Sequence, residues 1–119
     1  MDKYKQALIN LKTDYEGALE RFVGNEALYR KFLVKFLDDK NFSGLKLSLE
    51  QDDLAAAFQY AHTLKGVAGN LGLNLLYTTT HPLVELLRQN HMEGTKELML
   101  ILERDYNIIC NTIRSFMEE

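Results

Sequence analysis

The stretch AHTLKGVAGNLG, Ala61 to Gly72, brings a nucleophile, a cation and bare backbone close together. His62 is followed by Lys65 at i+3, Gly66 at i+4 and Gly69 at i+7. An exposed imidazole is mostly neutral near pH 7, so one ring nitrogen keeps a free lone pair and can act as a nucleophile. A lysine one helical turn further on can reach an anion carried by that ring. Glycines at i+4 and i+7 remove the side chains that would crowd a large group approaching it. Each glycine inside a helix costs about 1 kcal/mol relative to alanine, so the run of Gly66, Gly69 and Gly72 needs a reason. A nucleophile, an adjacent cation and a cleared surface suit a transferred phosphoryl group, whose chemistry depends mainly on positioning and charge stabilisation.

A helix advances about 100° per residue. On that phase Ala57, Ala61, Leu64, Ala68 and Leu71 share one face, which we read as the core face. His62 falls almost opposite, with Gln59, Lys65, Gly66, Gly69 and Leu73 beside it. Phe58 and Leu73 would supply an apolar rim for a docking partner, since the centre of an interface is depleted in charge. The same residues have plainer readings. A surface histidine and lysine are often only solvated, and the glycines would also suit a fraying helix end with Gly72 at the C-cap.

The elements that must position this helix are legible from periodicity and caps. Tyr4, Ala7, Leu8 and Leu11 repeat at helical spacing. Thr13 and Glu16 form a T-x-x-E capping box for a second short helix ending near Gly24. Asn25 is a good N-cap for a third, whose apolar stripe is Leu28, Phe32, Leu33, Phe36 and Leu37. Between Phe42 and Gln51 the leucines alternate as in a strand. No partner strand exists, so we expect a short helix. Asp52 or Asp53 caps the histidine helix. Another helix is expected from about Asn74 to Gln89. A long last one starts near Thr95, with Leu98, Leu102, Tyr106, Ile109, Ile113 and Phe116 as its stripe. In YTTTHPL, Pro82 should kink its helix or delay its start, with Thr80 or His81 near the cap. The fold class is all-α: an antiparallel four-helix bundle core, with the two short N-terminal helices packed across one end.

Composition bounds the function. The chain has 119 residues, 46% of them hydrophobic, which suggests one domain over 1–119. Its net charge of -3, without a basic tract, argues against nucleic acid. There is no apolar run long enough for a membrane span. The start MDKYKQALINLK lacks the apolar core of a signal peptide, so a cytoplasmic protein is expected. The initial Met and the full set of helices suggest a free-standing chain. Cys110, the single cysteine, excludes an internal disulfide and reads as a small buried hydrophobe. His62, His81 and His91 make a poor ligand set. His81 and Glu85 stand at i, i+4, but Pro82 disturbs that turn and there is no Glu-x-x-His pair, so we expect no metal. No G-x-x-x-x-G-K-[ST] phosphate loop is present, and GVAGNLG continues a helix instead of following a strand. Neither a cofactor nor kinase activity is expected, and any phosphoryl group must come from a donor.

AHTLKG followed by AGNLG resembles the signature of the histidine phosphotransfer (HPt) domain family nearly residue for residue. Upstream, ALERFVGNEALYRKFLVKF looks like that family's lead-in, and the resemblance extends over about residues 14 to 117. It implies a bundle that takes a phosphoryl group onto one exposed histidine from a receiver-domain aspartate and passes it on or returns it. By motif position that histidine is His62, with Lys65 as the charge-stabilising lysine and Gly66 as the access glycine. Implied partners are receiver domains of response regulators or a hybrid sensor kinase, met by a monomer. The chain departs from the family pattern at Thr80, where a small apolar residue is usual, at Val84, near a position that is often acidic, and at Pro82. A bundle that only binds a partner and carries no phosphate is the alternative function.

Overall fold

The chain is described here by a computed structural model covering residues 3–117. Its elements are α1 (Lys3–Asn10), α2 (Tyr15–Arg21), α3 (Glu26–Phe36), α4 (Asn41–Glu50), α5 (Leu54–Asn70), α6 (Asn74–Arg88) and α7 (Thr95–Met117). There is no strand among the described residues, and the alternating leucines of 42–51 lie in a helix.

Helix starts and stops are written locally. The Asn25 and Asp53 side chains accept from the backbone N–H groups of Leu28 and Ala56 at 3.0 and 3.1 Å. Asp14 does the same for Gly17 at 3.1 Å, so the cap of α2 is Asp14 and not the expected Thr13. The reason lies upstream: the Thr13 N–H is already used at 3.1 Å by the Leu8 carbonyl in the turn that closes α1, and Thr13 is buried there.

Five helix ends share one device. Lys12, Val23, Asp52, Gly72 and Asn90 all have positive φ, between 56° and 72° when Gly24 is included. In each case the following N–H bonds back across the last turn: Thr13 to Leu8, Gly24 to Leu19, Asp53 to Ser48, Leu73 to Ala68 and His91 to Leu86. Such left-handed ends satisfy orphan carbonyls and reverse the chain sharply. At the α5–α6 turn the result is an antiparallel pair. Along α5, from Gly69 through Lys65 to Phe58, the partners on α6 run the other way, from Tyr77 through His81 to Arg88.

The fourth side of the bundle is a broken rod. Phe36 at the end of α3 and Phe42 at the start of α4 both pack on Tyr106 of α7. Lys46 pairs with Glu103 at 3.0 Å further along. The break is stabilised by Asp39, whose carboxylate takes both the N–H and the side-chain amide of Asn41. The bundle is therefore α3 with α4, then α5, α6 and α7. Its core includes the fully buried Leu33, Leu45, Leu64, Leu76, Leu83, Leu102 and Ile113.

The two short helices close one end. Tyr4 of α1 stacks on Phe116 with centroids 3.4 Å apart. Arg21 of α2 donates to the Gly69 and Asn70 carbonyls at 2.8 and 2.9 Å, and Tyr29 donates to Leu71 at 2.6 Å. These bonds, with Asp14 N–H on the Gly72 carbonyl at 2.9 Å, pin the C-terminal end of α5.

Pro82 neither stops nor delays α6, which runs unbroken from Asn74 to Arg88, and Thr80 and His81 lie inside it instead of at a cap. The proline deprives the Thr78 carbonyl of its helical donor, but Thr78 and Pro82 are both exposed, so water can serve it. On the other face Leu76, Thr80, Leu83, Val84 and Leu87 are buried, and Thr79 donates to Asp105 of α7 at 2.5 Å. That burial offsets a proline cost of about 3 kcal/mol.

Gly72 combines a φ of +70° with an Asp14 carbonyl oxygen 2.6 Å from where a Cβ would stand. Neither the backbone angle nor that oxygen can give way cheaply. Gly72→Ala should destabilise the fold by more than about 1 kcal/mol, read as a fall of several degrees in thermal midpoint. An unchanged midpoint would mean that the α5–α6 turn does not depend on this glycine.

Candidate functional site

Both ends of α5 are fixed, by the Asp53 cap and by the clamp on its last carbonyls, so the phase of the helix is fixed too. Ala57, Ala61, Leu64 and Ala68 are fully buried on the inner face. His62 is exposed on the outer face, as are Gln59 and Gly66. A Cβ placed on Gly66 would meet nothing within 4 Å. The Phe58 ring, one turn before His62 and half-buried, lies under the imidazole at 5.7 Å with the planes 18° apart. The Arg88 guanidinium of α6 sits 5.1 Å from the same Phe58 ring. The imidazole is thus backed by an aromatic surface, with its edge open to solvent.

Lys65 leans towards α6. Its Nζ is 2.9 Å from His81 Nδ1 and 5.3 Å from the centre of the Tyr77 ring. Gly69 belongs to this flank as well: a Cβ there would touch the Tyr77 ring at 3.4 Å. One side of this glycine therefore borders the Tyr77 ring of α6, while the residue itself stays part-exposed.

Leu73 is a correction. Phase extrapolated from His62 puts it on the exposed face, but it is 1% exposed. The helix ends at Asn70, and the left-handed Gly72 turns the chain back. Leu73 then bonds to Ala68 and is buried as the apolar partner of that turn. It can form no docking rim.

The opposite flank holds a feature that the sequence did not reveal. A groove of about 660 Å³ runs between the end of α3 and α5. Its lining includes Phe32, Lys35, Phe36, Asp38 and Asp39 on one side, and His62, Thr63, Gly66 and Val67 on the other. Phe32 belongs to the apolar stripe of α3, yet it is 40% exposed. The available signal was the width of that stripe: Leu28, Phe32, Leu33, Phe36 and Leu37 are more apolar residues than one packed face of a helix needs.

The remaining candidates have ordinary roles. His81 is engaged by Lys65, and Glu85 pairs with Arg88 at 3.3 Å, so the i, i+4 pair is divided between two cations. His91 is exposed in the α6–α7 connection. Among the described residues no group of three or more His, Cys, Asp or Glu is placed to hold a metal ion. Cys110 is buried, and burial pushes its thiol up, which keeps it protonated and unreactive at neutral pH. No helix among these residues is long and apolar enough to cross a membrane.

The chain matches the sequence model of the Hpt domain family over residues 30–112. That match begins inside α3 and ends inside α7, so it spans the four sides of the bundle and the whole of α5. No curated protein and no solved structure matches the chain.

Because the space above Gly66 is open, Gly66→Ala and Gly66→Leu should both fold. Helix propensity should raise their stability by roughly 0.8 kcal/mol, seen as an equal or higher thermal midpoint. A lower midpoint would show that the position is packed and not clear.

Proposed function

We propose, on the premise that the chain belongs to the Hpt domain family, that it is one phosphorelay domain over residues 1–119 whose His62 carries the phosphoryl group. Domains of this family are histidine phosphotransfer modules that meet receiver domains and have no kinase activity of their own. The observation that carries the assignment is the setting of His62: exposed, backed by Phe58, one turn from Lys65 and beside an unobstructed Gly66.

The step follows from that setting. A ring nitrogen of neutral His62 attacks the phosphorus of a receiver's aspartyl phosphate. The new P–N bond forms as the P–O bond breaks, and the aspartate carboxylate leaves with the bonding pair. The other ring nitrogen can shed its proton to water. The reverse reaction returns the group to the same or another receiver. Phe58 limits the orientations of the ring, and Lys65 offers positive charge to a group that carries nearly two negative charges. Water screens that pair, so Lys65 assists and is not essential.

The receiver docks over Gly66 and Gln59 and into the groove between α3 and α5, where Phe32, Phe36 and Val67 give an apolar floor and Lys35 and Asp38 a charged rim. Phe58 contributes through the imidazole it supports. Leu73 drops out of the docking surface because it is buried, and Gly69 stays at its part-exposed edge towards α6. The domain works as a monomer in the cytoplasm, where receivers of response regulators or of a hybrid sensor kinase supply and take the group.

His62→Gln should abolish labelling by a phosphorylated receiver while the helical circular dichroism stays native. Label on His81 or His91 in that variant would overturn the assignment. Gly66→Leu should take label from phosphoramidate but not from a receiver. Normal receiver transfer with leucine at 66 would mean that access does not run over this position.

A further inference from the structure

Lys65 is engaged by two side chains of α6. The ammonium is 2.9 Å from His81 Nδ1 and lies over the Tyr77 ring at 5.3 Å. An ammonium can only donate, so this 2.9 Å contact is a hydrogen bond in the tautomer that keeps the lone pair on Nδ1 and the ring proton on Nε2. The nearest carboxylate along α6, Glu85, is occupied by Arg88 at 3.3 Å. Arg88 in turn reaches the Phe58 ring that supports His62. The charged side chains of α6 on this flank are thus arranged so that Lys65 meets a lone pair and a ring face, and no anion.

We propose that His81 is a positioning residue that holds Lys65 at the flank of His62 without neutralising it, a role that rests on the phosphotransfer reading of His62. A carboxylate in this place would also hold the lysine, but it would cancel its charge and compete with the phosphoryl group for it. An imidazole nitrogen restricts the flexible side chain and leaves the full positive charge available. A lysine on its own must be ordered when the phosphoryl group arrives, whereas one held beforehand has less freedom left to lose. The phosphoryl group, with nearly two negative charges, then outcompetes a neutral nitrogen, and Lys65 reaches it one turn away on the same helix face. His81 touches neither donor nor phosphorus in this scheme and acts through Lys65 alone.

The test is a double-mutant cycle with a small donor, so that receiver docking plays no part. Phosphoramidate phosphorylates His62 directly: a P–N bond to the ring forms, the donor's P–N bond breaks and ammonia leaves. Rates are measured near pH 8 for the native chain, His81→Ala, His81→Gln, Lys65→Ala and the Lys65→Ala/His81→Ala pair. His81 is exposed, and circular dichroism checks that each variant folds. We expect His81→Ala to slow labelling about three- to fivefold and to have no further effect once Lys65 is alanine. His81→Gln, whose amide oxygen still accepts, should restore the rate to within about twofold. A second arm reads the hold itself: the nitrogen-15 spectrum of His81 should show an unprotonated Nδ1 whose signal moves in Lys65→Ala. The proposal is overturned if His81→Ala leaves the rate unchanged while Lys65→Ala lowers it. It is equally overturned if His81→Ala slows labelling as much without Lys65 as with it, or if the His81 proton sits on Nδ1. A native chain that takes no label on His62 sinks the phosphotransfer reading instead, and the nitrogen-15 arm still decides whether His81 holds Lys65.

Discussion

One helix must be buried on one side and bare on the other, and the rest of the structure follows from how α5 meets that demand. It lies between α4 and α6, with α2 and α3 against its C-terminal end. Its inner face is mostly alanine, which allows close approach from both neighbours. A rotation by one residue, about 100°, would carry His62 towards the core and push Leu64 towards water. The Asp53 cap at one end and the Arg21 and Tyr29 bonds at the other oppose that rotation. The exposure of His62 is therefore enforced from both ends and does not depend on anything at the site.

The two flanks of His62 differ in kind. Towards α6 the surface is polar and cationic: Lys65 against His81, Arg88 against Glu85 and Phe58. Towards α3 it is a groove with an apolar floor. A polar flank suits the reacting group, and an apolar one suits the close approach of another protein. The polar flank depends on α6 keeping its register in spite of Pro82. The bond from Thr79 to the buried Asp105 ties that segment to α7 immediately before the proline.

What the sequence made legible was what local rules govern. The exposure of His62, the Asn25 cap, the short helix over 42–51 and the helical bundle all follow from periodicity, capping and composition. The misses share a cause: each depends on a contact with something distant or on where a helix stops. Leu73 was assigned by phase beyond the last helical residue. Thr13 lost its capping role to the closing turn of the preceding helix. The helix expected from about Asn74 to Gln89 is there, but its alternative late start at Pro82 is not, because the buried face that outweighs the proline comes from other helices. The groove arises from the break between α3 and α5's neighbour α4, a three-dimensional feature that no single stripe encodes.

The match to the Hpt family starts at residue 30 and so leaves α1 and α2 outside it, yet these helices are not ornaments on the bundle. The last carbonyls of a helix have no partners within it and carry a partial negative charge. At the end of α5, Arg21 takes two of them and Tyr29 a third, while the backbone of Asp14 takes the Gly72 carbonyl just beyond. Without α2 the Gly69 and Asn70 carbonyls would lose the Arg21 guanidinium, only Tyr29 of α3 would remain on the Leu71 carbonyl, and the last turn of α5 would be freer to fray. That turn contains Val67 and Asn70, which line the groove beside His62. The physical link between the N-terminal segment and the site is therefore the order of the last turn of α5: the segment touches neither His62 nor Lys65, but it fixes one wall of the surface on which a receiver must land.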